Sequence, residues 1–161
     1  MFMNIVTYPS SILSSRCESV TVFDHNLKTL SLSMIKLMHE LNGVGLAAPQ
    51  VGVLVNLIVV DESCGLDKNE LDVMVNPKII NSSVMKKIQT EGCLSIPFFS
   101  TPVSRYTTCV VEYNDLLGNR KVSEFFDLKA RIVQHEIDHL NGITIIDTVS
   151  SRPDDLLYVN T

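Results

Sequence analysis

The sequence lacks the features that would assign it to a specialised class of proteins. It contains no tryptophan and four cysteines among 161 residues, and no uncharged apolar run reaches the roughly 18 residues that indicate a membrane-spanning helix. The cysteines form no Cys-x-x-Cys pair, and the N-terminus shows no basic segment followed by an apolar one, as a signal peptide would. We therefore expect reduced thiols, a cytoplasmic or similarly reducing compartment, and no membrane partner.

Positive charge is also scarce. Lysine and arginine number 13 against 18 aspartates and glutamates, which gives a net charge of −5 at pH 7, and the basic residues are scattered. Proteins that bind nucleic acid by neutralising its phosphates carry the opposite balance, so we expect no specific nucleic-acid partner. The length and the hydrophobic fraction of 45% indicate one domain over residues 1–161 with a substantial core.

Two segments have apolar residues at helical spacing, and runs of β-branched residues lie between them. The first helix is predicted from the N-cap Asp24 to Asn42-Gly43, and the second ends at Asn141-Gly142. Strands are predicted at 53–61, 71–80, 83–96, 107–113 and 120–124. The pattern predicts an α+β fold. In it, antiparallel-dominated β-sheets pack around a central C-terminal helix, and one amphipathic helix comes earlier in the chain.

The second helix carries a His-Glu-x-x-His pattern at residues 135–139. Helical residues four apart lie on the same face, about 5–6 Å apart at Cβ, so His135 and His139 can direct their imidazoles at one metal ion. Glu136 lies beside them as a candidate proton carrier. A single histidine on an apolar helix face is usually a core residue, but two at this spacing around a glutamate predict a metal site.

A catalytic metal usually takes three protein ligands and keeps one position for water, so a third ligand must come from elsewhere in the chain. A carboxylate downstream of the helix and a thiolate are both candidates, but no glutamate follows Glu136. Cys93 is the better candidate because Gly92 and the polar loop after it put the thiol at the end of a predicted strand. The alternative interpretation of Cys93 is a buried structural thiol.

Three motifs of this chain resemble those of one enzyme family in their order and spacing. They are Gly43-Val44-Gly45-Leu46-Ala47-Ala48-Pro49-Gln50, Glu91-Gly92-Cys93-Leu94-Ser95 and Gln134-His135-Glu136-Ile137-Asp138-His139. Together they resemble the motifs of peptide deformylases, and the likeness extends from about residue 4 to residue 148. The resemblance implies a metal-dependent hydrolase that removes the formyl group from the N-terminal formylmethionine of newly synthesised polypeptides and releases formate.

The resemblance also implies roles for individual residues. One Fe²⁺ per chain, replaceable by Zn²⁺ or Ni²⁺, would be bound by Cys93, His135 and His139. Glu136 would carry the proton, while the Gln50 side chain and the Leu94 backbone N–H would stabilise the oxyanion. The substrate, an N-formylmethionyl nascent peptide, would contact a small-residue loop and an apolar wall formed by Gly43, Val44, Gly45, Gly92, Leu128, Arg131 and Ile132.

Some positions depart from the pattern of the family. Near the methionine pocket and after Pro97 these are Gln89, Arg131, Phe98 and Ser100. Arg131 falls where an aliphatic residue is usual. It could shield the edge of the metal cleft, donate a hydrogen bond to a substrate carbonyl, or lie solvated on the helix surface. We therefore expect the side-chain specificity of this protein to differ from that of its relatives.

The end of the chain differs as well. Residues 140–161 contain no basic helix of the kind by which many bacterial members of the family dock on the ribosome. We expect a compact variant, for example from a phage or an organelle, with at most a transient ribosome contact.

Two other functions compete with this hypothesis. A peptidase could use His-Glu-x-x-His for internal amide cleavage, but the cysteine ligand and the small loop before Gln50 argue against it. A binding or structural protein could hold a closed zinc site, but such a site needs a fourth protein ligand, for which the sequence offers no candidate.

Overall fold

The computed structural model describes residues 3–151, except for the side chains of residues 150 and 151. Within this range the three α-helices are α1 (His25–Glu40), α2 (Asp127–Leu140) and α3 (Ile145–Ser151). The strands are β1 (Gly45–Ala47), β2 (Leu57–Asp61), β3 (Leu71–Ser82), β4 (Lys86–Cys93), β5 (Ile96–Tyr106), β6 (Thr108–Asn114) and β7 (Arg120–Phe126). The predicted α+β fold is confirmed.

The strands form two sheets whose neighbouring strands are all antiparallel. A five-stranded sheet has the order β1-β2-β3-β6-β7, and β4 pairs with β5 in a separate two-stranded sheet. No helix in the described part of the chain is both long and apolar enough to cross a membrane.

Helix α1 covers one face of the five-stranded sheet. Its N-terminus is capped by Asp24, whose carboxylate accepts a hydrogen bond of 3.0 Å from the backbone N–H of Leu27. The helix ends before Gly43, whose N–H donates to the Met38 carbonyl over 2.8 Å. Its buried apolar residues pack with Leu57, Val59 and Val75 of the sheet, and are Leu27, Met34 and Met38.

Helix α2 covers the opposite face of the same sheet. Successive strand residues point to opposite sides, so Leu57 and Val59 of β2 face α1 whereas Ile58 and Val60 face α2. This is why β2 is buried along its whole length. The residues of α2 in this second core are Ala130, Ile132, Val133, Ile137 and Leu140. Helix α2 therefore lies centrally, as predicted, between this sheet and the β4–β5 pair.

The structure differs from the predicted elements in several places. The strand predicted at 53–61 begins only at Leu57, because residues 54–56 pair with Glu18 of the N-terminal arm. Strand β3 continues through the predicted interruption at Pro77, where the register with β6 shifts. Strand β5 was not predicted, because its prolines and polar residues hide the alternation. The prediction that the chain has no basic C-terminal helix rests partly on residues 152–161, which lie outside the described range.

Candidate active site

The structure brings Cys93, His135 and His139 together. Cys93 is the last residue of β4, and the two histidines lie one turn apart on α2. The candidate ligand atoms of the three residues all lie within 4.8 Å of one another, and the Cys93 Sγ is 3.3 Å from the His139 Nε2. Within residues 3–151, no other group of three or more His, Cys, Asp or Glu side chains meets this criterion. The prediction of Cys93 as the partner of the two histidines is confirmed.

The orientation of His135 is set by a buried carboxylate. Its Nδ1 lies 2.8 Å from Oε2 of Glu91. Burial would raise the pKa of Glu91, but hydrogen bonds from His135 and Arg105 and their charges outweigh it and lower the pKa to about 2. Because an ionised Glu91 can only accept, His135 donates from Nδ1 and keeps Nε2 for a metal.

The donor atoms suit a divalent transition metal. A thiolate and two imidazoles are ligands for Zn²⁺ and for iron or nickel, and three protein ligands leave one position open, as in a catalytic site. Burial lowers the pKa of His139 to about 3, so its imidazole is the neutral form that ligates metals. Nδ1 of His139 is buried and has no hydrogen-bond partner among the described residues. The residues present fit the metal that their pattern predicts.

Glu136 lies beside the candidate metal ligands, in the wall of a cavity that opens over them. Its side chain is buried, and its Oε2 has no hydrogen-bond partner among the described residues. Burial is the main influence on this carboxyl and raises its pKa to about 7. A carboxyl in this state can both take and return a proton near neutral pH.

Gln50 is held rigidly beside Cys93. It lies in a short 3₁₀ turn, Ala48–Val51, where its Oε1 accepts a 2.8 Å hydrogen bond from the backbone N–H of Ala47. This bond turns the Nε2 group toward Ser95 Oγ at 3.2 Å and Cys93 Sγ at 3.5 Å. The amide thus presents donors beside the metal ligands.

A cavity of about 660 Å³ opens over these residues. Apart from His139, every residue predicted for the site contributes to its wall: Gly43, Val44, Gly45, Gln50, Gly92, Cys93, Leu94, Leu128, Arg131, Ile132, His135 and Glu136. The loop that contains Gly43 and Gly45 is packed tightly against this site. The carbonyl of Val44 accepts a 2.8 Å hydrogen bond from the N–H of Asp61, which fixes this part of the loop against β2.

Several parts of the site were missed from the sequence. No role was predicted for Glu91 or Arg105, although Glu91 stands in the same motif as Cys93, two residues before it. The interpretation of Arg131 as a solvated surface residue is wrong, because its side chain is buried against β4 and β5. His39, in the last turn of α1, has its Nε2 2.8 Å from the Asp61 carboxylate.

Comparison with known proteins gives a consistent result. The family model described as polypeptide deformylase matches residues 2–154. The peptide deformylase of Thermodesulfovibrio yellowstonii is 42% identical over 148 residues, covering 92% of this chain and 89% of that protein. The chloroplastic peptide deformylase 1B of Oryza sativa is 36% identical over 92% of this chain and 55% of its own length. The crystal structure of peptide deformylase from Thermotoga maritima has a TM-score of 0.87 at 36% identity, covering 92% and 97% of the two chains.

Proposed function

The chain belongs to the peptide deformylase family, and from this premise we propose how Glu136, Gln50 and Leu94 divide the catalytic work. The protein is a metal-dependent hydrolase that removes the formyl group from N-terminal formylmethionine, and its metal site consists of Cys93, His135 and His139. The observation that carries the assignment of roles is the convergence of these residues on one cavity.

Our proposal for the metal is one Fe²⁺ per chain, with Zn²⁺ or Ni²⁺ able to occupy the same ligands. The single thiolate and the two imidazoles support each of these ions. When bound, such an ion lowers the pKa of water and polarises a carbonyl oxygen.

Glu136 is the proposed proton carrier. It takes a proton from the water that attacks the formyl carbon, and it later gives a proton to the amine nitrogen as the carbon–nitrogen bond breaks. The products are formate and a free N-terminus. A buried carboxyl with a pKa near 7 and an unpaired oxygen supports this role, because it is poised to work in both directions.

Gln50 and the backbone N–H of Leu94 are the proposed oxyanion donors. The oxygen of the formyl group becomes negatively charged as water adds, and donors that are already oriented stabilise that charge without reorganising. The hydrogen bond from Ala47 fixes the Gln50 amide before substrate arrives. Leu94 directly follows the ligand Cys93, which supports its N–H as the second donor.

The cavity is the proposed site for the methionine end of the peptide. Ile132 is buried and Leu128 half-exposed, so together they offer an apolar wall to the methionine side chain. The cleft is bordered by backbone and small side chains, along which an extended peptide can pair with the main chain. The residues that form this border are Gly43, Val44, Gly45 and Gly92. The proposed substrates are N-formylmethionyl nascent peptides.

The wider setting follows from the same chemistry. We propose that residues 1–161 form one catalytic domain that works in a reducing compartment, since a thiolate ligand is vulnerable to oxidation. The cytoplasm of a cell or phage host meets this condition. An organelle also does, and the relative from Oryza sativa is chloroplastic. Contact with the ribosome is proposed to be transient.

A formate-release assay tests the assignment. Purified protein loaded anaerobically with Fe²⁺ or Ni²⁺ should release formate from formyl-Met-Ala-Ser and leave acetyl-Met-Ala-Ser intact. Glu136→Gln should retain the metal and lose about 10²–10⁴-fold in kcat, because the proton carrier is gone. Full turnover by the metal-loaded Glu136→Gln protein would remove Glu136 from this role, and no formate from the folded, metal-loaded wild type would contradict the function itself.

A further inference from the structure

The guanidinium of Arg131 is occupied by contacts within the protein. Its Nη1 donates to Oε1 of Glu91 over 2.6 Å and to the Val103 carbonyl over 2.9 Å. Its Nε donates to Gln89 Oε1 over 2.9 Å, and its Nη2 donates to the Lys87 carbonyl over 2.6 Å. Every nitrogen of the group is therefore engaged, and a substrate carbonyl would have to compete with short, buried hydrogen bonds.

The partners of Arg131 all belong to the β4–β5 sheet. Lys87, Gln89 and Glu91 are alternate residues of β4, and Val103 lies on β5 opposite Gln89. Arg131 itself lies on α2, one turn before His135. Its side chain thus joins the helix that carries two metal ligands to the strand that carries the third.

Glu91 connects this contact to the metal ligands. Its Oε1 accepts from both Arg131 and Arg105, whereas its Oε2 accepts from Arg105 and from Nδ1 of His135. Arg105 also donates from Nη1 to the Asp138 carboxylate, so this nitrogen is directed at Asp138 and not at Glu91. Within residues 3–151, Glu91 is the only carboxylate among the hydrogen-bond and ion-pair partners of Arg131. Arg131 fixes the side of the Glu91 carboxylate that faces away from His135.

We propose that Arg131 is a positioning residue for the metal centre. It holds the Glu91 carboxylate against His135, and it keeps β4, with Cys93 at its end, at a fixed distance from α2. Arg131 lines the cavity, but its guanidinium is bound by groups of β4 and β5. This inference rests on the proposed role of Cys93, His135 and His139 as ligands, and it replaces the expected contact between Arg131 and substrate.

The same helix offers a matched control. Lys129 lies two residues away, and its Nζ is 2.7 Å from the Asp72 carboxylate and 3.3 Å from that of Glu70. It lies outside the cavity wall and outside the contacts of Glu91 in the described structure. Lys129→Met therefore removes a partly buried cation from α2 without touching the link to β4 and β5.

The test uses Co²⁺ as a spectroscopic probe of the site. Arg131→Met keeps the length of the stem and removes the donors, while Arg131→Lys keeps a positive charge but not the fork of donors. Loss of a group that orients a metal ligand typically costs about 10–100-fold in metal affinity or activity. We expect Arg131→Met to lose about that factor in Co²⁺ affinity, measured by chelator competition, and to alter the visible spectrum of bound Co²⁺. We expect kcat to fall while KM for formyl-Met-Ala-Ser stays within about twofold.

The variants separate the possible outcomes. Arg131→Lys should show an intermediate loss, and Lys129→Met should keep the affinity, the spectrum and kcat of the wild type. If Arg131→Met does not fold, Arg131→Lys decides, and wild-type Co²⁺ affinity and spectrum in that variant would overturn the proposal. A raised KM with unchanged Co²⁺ binding in Arg131→Met would make Arg131 a substrate contact instead. Because the Co²⁺ measurements need no turnover, they test Arg131 even if the deformylase reaction fails.

Discussion

Gly45 is the position in the cleft where a side chain is least tolerable. A Cβ atom there would lie 2.4 Å from Oε1 of Glu136 and 2.7 Å from Cγ2 of Ile132, both shorter than real contacts. Ile132 is buried in the core between α2 and the five-stranded sheet, whereas Glu136 borders the cavity and is therefore the neighbour that must move. The glycine is required here because its missing side chain lets the loop approach the catalytic carboxyl.

We therefore predict that Gly45→Ala displaces Glu136 and lowers kcat about 10²-fold, as expected for a catalytic group moved by about 1 Å. Metal content should stay normal, because the three ligands are untouched. Gly43→Ala is the graded comparison, since the one severe contact of its Cβ would be with Cδ1 of Leu94, the end of a side chain, at 2.8 Å, and its next neighbours are atoms of Met38 at 3.4 Å. Steady-state kinetics on equally metal-loaded proteins check this order, and equal losses in both variants would contradict the explanation.

Among the secondary-structure elements, the β4–β5 pair has an irregularity beside the metal ligand. Gly92 is opposite Ser100 and Cys93 is opposite Ile96, so three residues of β5 are left without a partner in the register. Phe98 lies in this bulge with a φ of +63° and a fully exposed side chain. Bulges often change the direction of side chains next to active sites, and this bulge directly follows Ile96, the residue that pairs with Cys93.

The backbone at Phe98 leads to a prediction about stability. A left-handed conformation costs a non-glycine residue about 1–2 kcal/mol, whereas glycine costs roughly 0.5–1 kcal/mol in chain entropy. Because the exposed ring contributes no packing, Phe98→Gly should raise the free energy of unfolding by up to about 1 kcal/mol. Urea unfolding of the metal-loaded proteins measures this difference. Phe98→Ala keeps the Cβ and should show no gain, and a Phe98→Gly protein less stable than wild type would contradict the prediction.

For the protein as a whole, the metal site connects two separate bodies of structure. Cys93 belongs to the two-stranded sheet, and the histidines belong to the helix that packs on the five-stranded sheet. The salt bridges Glu91–Arg131 and Arg105–Asp138 make the same connection between the two-stranded sheet and α2. A bound metal ion should therefore stabilise the native state as well as support catalysis.

Removal of the metal should consequently lower the thermal stability. A ligand present at 1,000 times its Kd stabilises the native state by about 4 kcal/mol, and for a chain of this size 1 kcal/mol shifts Tm by roughly 2–4 °C. We predict a fall of about 10 °C when the bound metal is stripped with a chelator under reducing conditions. Differential scanning calorimetry measures it, with re-addition of Ni²⁺ as the reversal. Cys93→Ser should lose most of this response, and an unchanged Tm in stripped wild type would show that the site adds nothing to stability.

Local spacing alone determined the two long helices, the pairing of His135 with His139 on one face, and Glu136 beside them. These features depend on residues a few positions apart, where helical periodicity dictates which side chains share a face. Cys93 was favoured as the third ligand by its place at the end of a predicted strand and by the lack of a glutamate after Glu136. Gln50 was identified only through a resemblance to known motifs, since no local rule brings residues so far apart to the same metal.

Only the tertiary structure decided which charges are buried and what they hold. Nothing in the spacing of Glu91, Arg105 and Arg131 tells that the three meet, because they come from β4, β5 and α2. Strand β5 likewise takes its form from pairing with β4, and the close approach of Gly45 to Glu136 depends on how the loop packs on α2. Such contacts depend on the packing of distant segments, so the ligands could be found in the sequence whereas the residues that position them could not.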